Sequence, residues 1–511
     1  MTSNTIISKL WSQAGVLRND GVGYNEYLSE LTYLVFLKMV EEQDLNNQIP
    51  VGYRWLDLSS LDGTQLLSFY EQLLSDLGKS RIEISEESYR KLLNNGDTEV
   101  IEVEENGVST YYINNKNELL KKIFRRAKTS ITVPKNLKTI INAIDAIDWF
   151  SEDRENLGDM YEGLLEKNAE DTKSGAGQYF TPRVVIDAIV EVIKPQLGEK
   201  LLDPASGTFG FMVAANKFLR EHNDYHKLND ESFEFQKSHA ISGMELVNDT
   251  YRLALMNALL HDIDPIDLHM GNSLSENGMW MKNFDVVLTN PPFGVANERA
   301  TRTDVTFETS NKQLNFLQVI YNSLKKDGKA RAAVVIPDGV LSGTGIGAEI
   351  RRDLLNKTNL HTVLRLPTGI FYKPGVKTYV LFFTRGETDY NNTSEVWYYD
   401  LRALNHFTPK QNKLRYSDFK EFIKLYEGDE KGVRQETYAE DNPIGRWRKY
   451  TIEEILEDEG VSLDLHWIRE EEEIRDIAEI IEEYETERAE TDLQINKLLE
   501  EIHEILGAHQ K

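Results

Sequence analysis

The chain contains no cysteine in 511 residues. That excludes a disulfide framework, a thiolate metal site and a cysteine nucleophile. Methylation of cytosine at carbon 5 by the covalent cysteine route goes with it. No run of 18 or more apolar residues occurs, so no membrane span is expected. The start, MTSNTIISKLWSQ, lacks the basic-then-apolar order of a signal peptide, and a cytoplasmic protein is the expectation. A G-x-x-x-x-G-K-[ST] phosphate loop is missing too, which argues against an ATP-driven motor on this chain. Positive charge is scarce: 58 Lys and Arg against 85 Asp and Glu give a net charge of −27. The excess is uneven. Residues 451–511 hold 21 acidic and 5 basic residues, leaving −11 for the other 450. The body is only mildly acidic, and local basic patches on it can still meet phosphate.

The length suits two to four domains. Residues 1–165 read as a mainly helical domain for DNA or partner contacts. Leu31, Leu34, Val35, Leu37, Lys38 and Met39, then Leu67, Tyr70, Leu73, Leu74 and Leu77, keep helical spacing. Two short alternating runs around Asn106-Gly107 predict a hairpin. Lys116, Lys121, Lys122, Arg125, Arg126, Lys128, Lys135 and Lys138 follow closely, as a solvated helix face or a phosphate-contacting patch. Residues 166–395 change to strand, loop, helix. Strand candidates are KLLDPA, AISGMEL, DLHMG, FDVVLTN, ARAAVVIP, HTVLRLP and TYVLFFT. Helical stretches separate the first six, so the fold class is α/β with a parallel doubly wound sheet. Only about ten residues join the last two, too few for a crossover helix, so the seventh is expected antiparallel beside the sixth. Residues 396–466 are polar and weakly patterned and read as a connector. In 467–511, Ile474, Ile481, Arg488, Ile495 and Ile502 fall seven apart, with Ile477, Tyr484, Thr491, Leu498 and Ile505 three after each. This predicts a coiled-coil-like helix that docks on helices of another chain.

Polar groups recur where these strands end. Asp203-Pro204-Ala205-Ser206-Gly207-Thr208 follows the first, a turn that lets a cofactor approach a helix N-terminus. Glu245 ends the second, where a carboxylate can accept from both ribose hydroxyls. Asn272 ends the third, placed to reach an adenine ring. Asn290 ends the fourth and is followed by Pro291, Pro292 and Phe293. No strand continues through two prolines. Each group alone could be ordinary loop polarity. Together they converge on the crevice where open α/β sheets bind ligands.

The order Gly-Gln-Tyr-Phe-Thr-Pro-Arg (177–183), Asp-Pro-Ala-Ser-Gly-Thr (203–208) and Asn-Pro-Pro-Phe (290–293) resembles the adenine-N6 DNA methyltransferases. More closely, the chain resembles the modification (M) subunit of type I restriction–modification systems. The stretches LWSQAGVLRND and LPTGIFYKPGVKTYVLFF are similar as well. One departure is visible. The family's loop commonly reads Asp-Pro-Ala-Cys-Gly-Ser-Gly-Gly-Phe, whereas Ser206 stands here for the cysteine and Phe209 for a glycine, a ring expected to narrow the loop.

The resemblance implies a Rossmann-like methyltransferase sheet using S-adenosylmethionine (SAM), with no metal. Cofactor contacts fall on Gln178, Tyr179, Phe180, Thr181, Pro182, Arg183, Asp203, Ser206, Gly207, Thr208, Glu245 and Asn272. An exocyclic adenine amine is a poor nucleophile, because its lone pair is delocalised into the ring. Two acceptors, the Asn290 side-chain oxygen and the Pro291 carbonyl, would take its two hydrogens and free that pair. An N4-cytosine amine would suit the same two acceptors, and it is the Asn-Pro-Pro-Phe order that favours adenine. Pro292 stiffens the turn and Phe293 offers a ring to stack on. The target base must be flipped out of the duplex, and by resemblance Phe371 stacks on its other face. The implied partners are double-stranded DNA and a specificity (S) subunit, with two M per S and a restriction (R) subunit as a further candidate. A self-sufficient DNA methyltransferase and a protein glutamine methyltransferase are the alternatives. The first needs a target-reading domain that the connector is too short to supply, and the second has no use for the helical domain or the heptads.

Overall fold

The computed structural model describes residues 24–468 apart from 43–44, 46–47, 94–97, 106, 148–160, 166–180, 295–300, 369, 371–376, 403–412 and 430. Helical spacing holds in the N-terminal region. Helix Tyr24–Glu42 buries Leu31, Leu34, Val35, Leu37 and Met39. Helix Gly63–Leu77 buries Leu66, Tyr70, Leu73, Leu74 and Leu77 and packs on helix Pro134–Asp145, whose own apolar face is Leu137, Ile140, Ile141 and Ile144. Proline opens the latter helix, where its missing N–H leaves no bond unmade. The hairpin forms as expected, between β2 (Val100–Glu105) and β3 (Val108–Asn114), with Gly107 at φ +78° in the turn. A third strand, β1 (Arg81–Ile84), pairs antiparallel with β3. The sequence reading did not include it, since four residues carry too little periodicity.

Nine strands form the main sheet: β4 (Leu201–Asp203), β5 (Ile241–Glu245), β6 (Leu268–Met270), β7 (Val286–Thr289), β8 (Arg331–Pro337), β9 (Thr358–Arg365), β10 (Thr378–Arg385), β11 (Glu395–Asp400) and β12 (Trp447–Thr451). Their order is β12-β11-β9-β10-β8-β7-β4-β5-β6. All seven anticipated strands are present. From β6 to β8 the sheet is parallel, and β10 runs antiparallel to β9 as the short connection required. It also pairs antiparallel with β8, so it inserts between the fifth and sixth strands.

The stretch read as a connector is a correction. It supplies β11, parallel to β9, and β12, antiparallel to β11. The two strands are joined by stacking of Trp397 on Trp447, with ring centroids 5.3 Å apart. Residues 460–465 are sewn on as well. Arg351, almost fully buried, donates to the carbonyls of Val461 (2.9 Å), Gly460 (2.8 Å), Val340 (2.8 Å), Ser342 (2.9 Å) and Gly343. Arg365 donates to Leu465 O and Asp464 Oδ1. Sheet and helical region meet at Arg252, which donates to the Tyr33 hydroxyl and to Arg125 O. No described helix is long and apolar enough to cross a membrane.

Candidate active site

The loop between β4 and helix Gly210–His222 is pinned by its neighbours. Ser206 N donates to Met244 O (3.0 Å), Gly207 N to Glu245 Oε2 (3.0 Å), Asn257 Nδ2 to Thr208 O (2.9 Å) and Ser273 Oγ to Pro204 O (2.5 Å). Gly207 has φ +52°, and a Cβ there would meet no atom within 4 Å, so one side of the loop is open for a ligand. Phe209 also sits at positive φ, +74°, which for a non-glycine costs about 1–3 kcal/mol. Its ring is fully buried and lies over β5, 2.9 Å from where a Cβ on Gly243 would stand. The expected narrowing does not occur: the ring turns into the core, and the missing side chain of Gly243 makes room for it.

Two carboxyl groups face this loop. Asp203 is buried, and its Oδ1 accepts from Ala205 N at 3.0 Å. Burial pushes its carboxyl up to about 7, against the opposing pull of the Thr289 hydroxyl and the Ala205 N–H. Glu245 is raised for the same reason, opposed by backbone N–H groups. Its Oε1 accepts from Val247 N (2.7 Å) and its Oε2 from Gly207 N. Each oxygen therefore keeps one further lone pair for a ligand hydroxyl. Asn272 closes a turn by accepting from Leu274 N at 2.9 Å, and the residue is exposed. Around Glu245 and Asn272 lie residues that the sequence reading missed. Leu246 is 63% exposed and Met270 46% exposed, at adjacent strand ends. An apolar residue directly after a strand-ending carboxylate was the available signal.

Asn290 follows β7 and donates its Nδ2 to Thr181 Oγ1 at 2.9 Å, which makes the oxygen the end of the amide suited to a substrate N–H. Thr181 is itself buried. Pro291 is buried, and Pro292 and Phe293 are half-buried. Past them Gly294, at φ +109°, has its carbonyl held by Lys312 N (3.2 Å) at the start of helix Lys312–Ser323. Pro182 caps helix Arg183–Ile193. Arg183 is ion-paired with Glu162 and with Asp187 (2.9 Å), so its side chain anchors the helix start. Gln178, Tyr179, Phe180 and Phe371 lie outside the described residues. Among those described, the structure thus brings Thr181, Asp203, Ser206, Gly207, Thr208, Glu245, Asn272 and Asn290 to one end of the sheet.

Fold and site together define a class, an α/β sheet of the methyltransferase type with polar groups gathered where its parallel strands end. A family model described as N-6 DNA Methylase matches residues 152–502. The type I restriction enzyme StySPI methylase subunit of Salmonella potsdam is 40% identical over 512 aligned positions, spanning 93% of this chain and 90% of that protein. The crystal structure of the type I restriction enzyme EcoKI M protein superimposes with a TM-score of 0.53 at 34% identity, covering 97% of this chain and 96% of that one. A chain from a structural study of type I restriction–modification complex assembly gives 0.69 at 27% identity, with 99% of each chain covered. The chain belongs to the methylase subunits of type I restriction enzymes. It is the catalytic, adenine-specific DNA methyltransferase of such a system, and neither alternative reading finds support in these matches.

Proposed function

We propose that this subunit binds SAM across the carboxyl ends of β4, β5 and β6, and that it methylates an adenine flipped out of duplex DNA beside Asn290. The residues present fit that cofactor. Ser206 Oγ is buried without a hydrogen-bond partner among the described residues, the Gly207 side of the loop is open, and Glu245 has lone pairs for two hydroxyls. Exposed Leu246 and Met270 suit an apolar ring face, and two buried carboxyls suit a cationic ligand. The cofactor would supply a methyl group already activated by a sulfonium, so no strong base is required. The chain's own task is to hold the amine. Asn290 Oδ1 and the Pro291 carbonyl accept its two hydrogens, Pro292 keeps the turn rigid, and Phe293 and Phe371 stack on the base. The cofactor-covering role of Gln178 to Arg183 belongs to the same reading, with Arg183 acting through its ion pairs.

The helical domain faces DNA in this proposal. Lys116 and Lys121 pair with Glu99 and Glu118, and Lys138 donates to Ser59 O and Leu61 O. By contrast Lys122, Arg125, Arg126, Lys128 and Lys135 are exposed and show no ion pair among the described residues. They form the phosphate-contacting part of the segment. The acidic tail, repelled by phosphate, docks instead on a specificity subunit, two methylating subunits to each, in the cytoplasm, with a restriction subunit able to join. The observation that carries the reading is the Asn290–Thr181 bond at the end of β7. Asn290→Ala is expected to keep SAM binding while lowering turnover by about 100-fold or more, the scale of one lost preorganised transition-state contact. Near-normal turnover would overturn it.

A further inference from the structure

One carboxylate outside the motifs meets two side chains, Arg183 and Asn257, that each lead to a part of the site. Glu162 lies in the helical turn 161–165, which is seated by buried Leu164, Leu165 and Tyr161, the Tyr161 hydroxyl donating to Met256 Sδ at 3.3 Å. Its Oε2 is ion-paired with Arg183 Nη1, and its Oε1 accepts from Asn257 Nδ2 at 3.5 Å. The same Nδ2 donates to Thr208 O on the cofactor loop at 2.9 Å, and Asn257 is fully buried. Arg183 begins its helix two residues after Thr181, whose hydroxyl holds the Asn290 amide. Asp187 lies on the same helix as Arg183, whereas Glu162 reaches across from another element. The paired side chains are 15% and 23% exposed, so solvent screens them little.

We propose that Glu162 is a positioning residue for methyl transfer. It fixes the helix start bearing Thr181, and through Asn257 the cofactor loop at Thr208, in one register. The amide that receives the amine and the loop that holds the methyl donor are then set by a single side chain. Reacting groups need near-contact geometry, and a shift of about 1 Å can cost about 100-fold. The inference rests on Asn290 being the amine acceptor.

The test uses the full chain assembled with its specificity partner, labelled SAM and duplex DNA. Glu162→Gln keeps the size and an acceptor for Asn257 but removes the charge facing Arg183. It is expected to lower kcat about tenfold at saturating cofactor, with the SAM Kd within about twofold. Glu162→Ala is expected to lower kcat similarly and also to raise the SAM Kd about tenfold, because the Asn257 link is lost. In a cycle with Arg183→Ala, the double variant should lose no more kcat than the worse single variant. Wild-type kcat in both Glu162 variants, additive losses in the cycle, or losses that vanish when activity is expressed per folded molecule would each overturn the proposal. If Glu162→Ala does not fold, Glu162→Gln and the cycle still decide. Asn290→Ala run alongside separates the two readings: if it is active, the acceptor assignment fails. If it is dead while the Glu162 variants are normal, only the present proposal fails.

Discussion

Asp203→Asn sets stability against cofactor binding in a way that can be measured. Burial lifts the Asp203 carboxyl from 3.8 to about 7, so the fold prefers the neutral form. Stability from this group is complete below pH 3.8 and is lost as pH rises through 7, because the unfolded chain gives up the proton first. At about 1.4 kcal/mol per pH unit, the loss above pH 7 is about 4 kcal/mol. Asparagine stays neutral throughout and still offers Oδ1 to Ala205 N. The variant is therefore expected to resist denaturant better than wild type at pH 8 and equally at pH 4. Its unfolding midpoint should vary less with pH between them, with Glu245, raised in the same sense, leaving a residual slope. Binding should move the other way. A cationic ligand favours the ionised carboxylate, so wild type should release a proton on binding SAM near pH 6.5. Calorimetry in two buffers of different ionisation enthalpy would show it. Asp203→Asn should bind more weakly and release none. An unchanged midpoint slope, or proton release as large as that of wild type, would refute the argument.

Other perturbations address separate parts of the site. Phe371→Ala should weaken capture of the extruded base by about 1–3 kcal/mol if the ring stacks on it. The readout is 2-aminopurine at the target position, and unchanged fluorescence with unchanged turnover would make Phe371 a packing residue. Replacing Lys122 and Lys128 together with glutamine should reduce the salt dependence of DNA binding by about 0.9 per lost phosphate contact, without altering SAM affinity. An unchanged salt slope would return the segment to a solvated helix face. For the tail, the cut should fall after Ile468, since Trp467 Nε1 donates to Gly445 O at 2.8 Å and its ring packs near Tyr450. The truncated chain is expected to fold and bind SAM but to lose co-purification with the specificity subunit and site-specific methylation. Normal assembly would point to the helical domain as the docking element.

What could be read from the sequence was local. Seven strands announced themselves because each concentrates apolar residues within a few positions. Asp203 and Glu245 were legible because each closes such a run, Asn290 because it directly follows one, and Asn272 because a single glycine separates it from one. β11 and β12 were not, since their pairing joins residues about fifty apart and rests on the Trp397–Trp447 stack inside a polar stretch. The links that hold the site are equally non-local. Thr181 to Asn290 spans 109 positions, and Glu162 to Asn257 spans 95. No spacing rule reaches that far. Phe209 shows the same limit: read alone it was an obstruction, and only its neighbour across the sheet, Gly243, reveals where the ring goes.

The most direct test of the central claim is the fate of the methyl group. The chain, with and without a specificity partner, is incubated with methyl-labelled SAM and duplex DNA, and the DNA is digested to nucleosides. The label is expected in N6-methyldeoxyadenosine, dependent on the partner and abolished by Asn290→Ala. Label in N4-methyldeoxycytidine, in protein, or in adenine with Asn290→Ala at an undiminished rate would contradict the account.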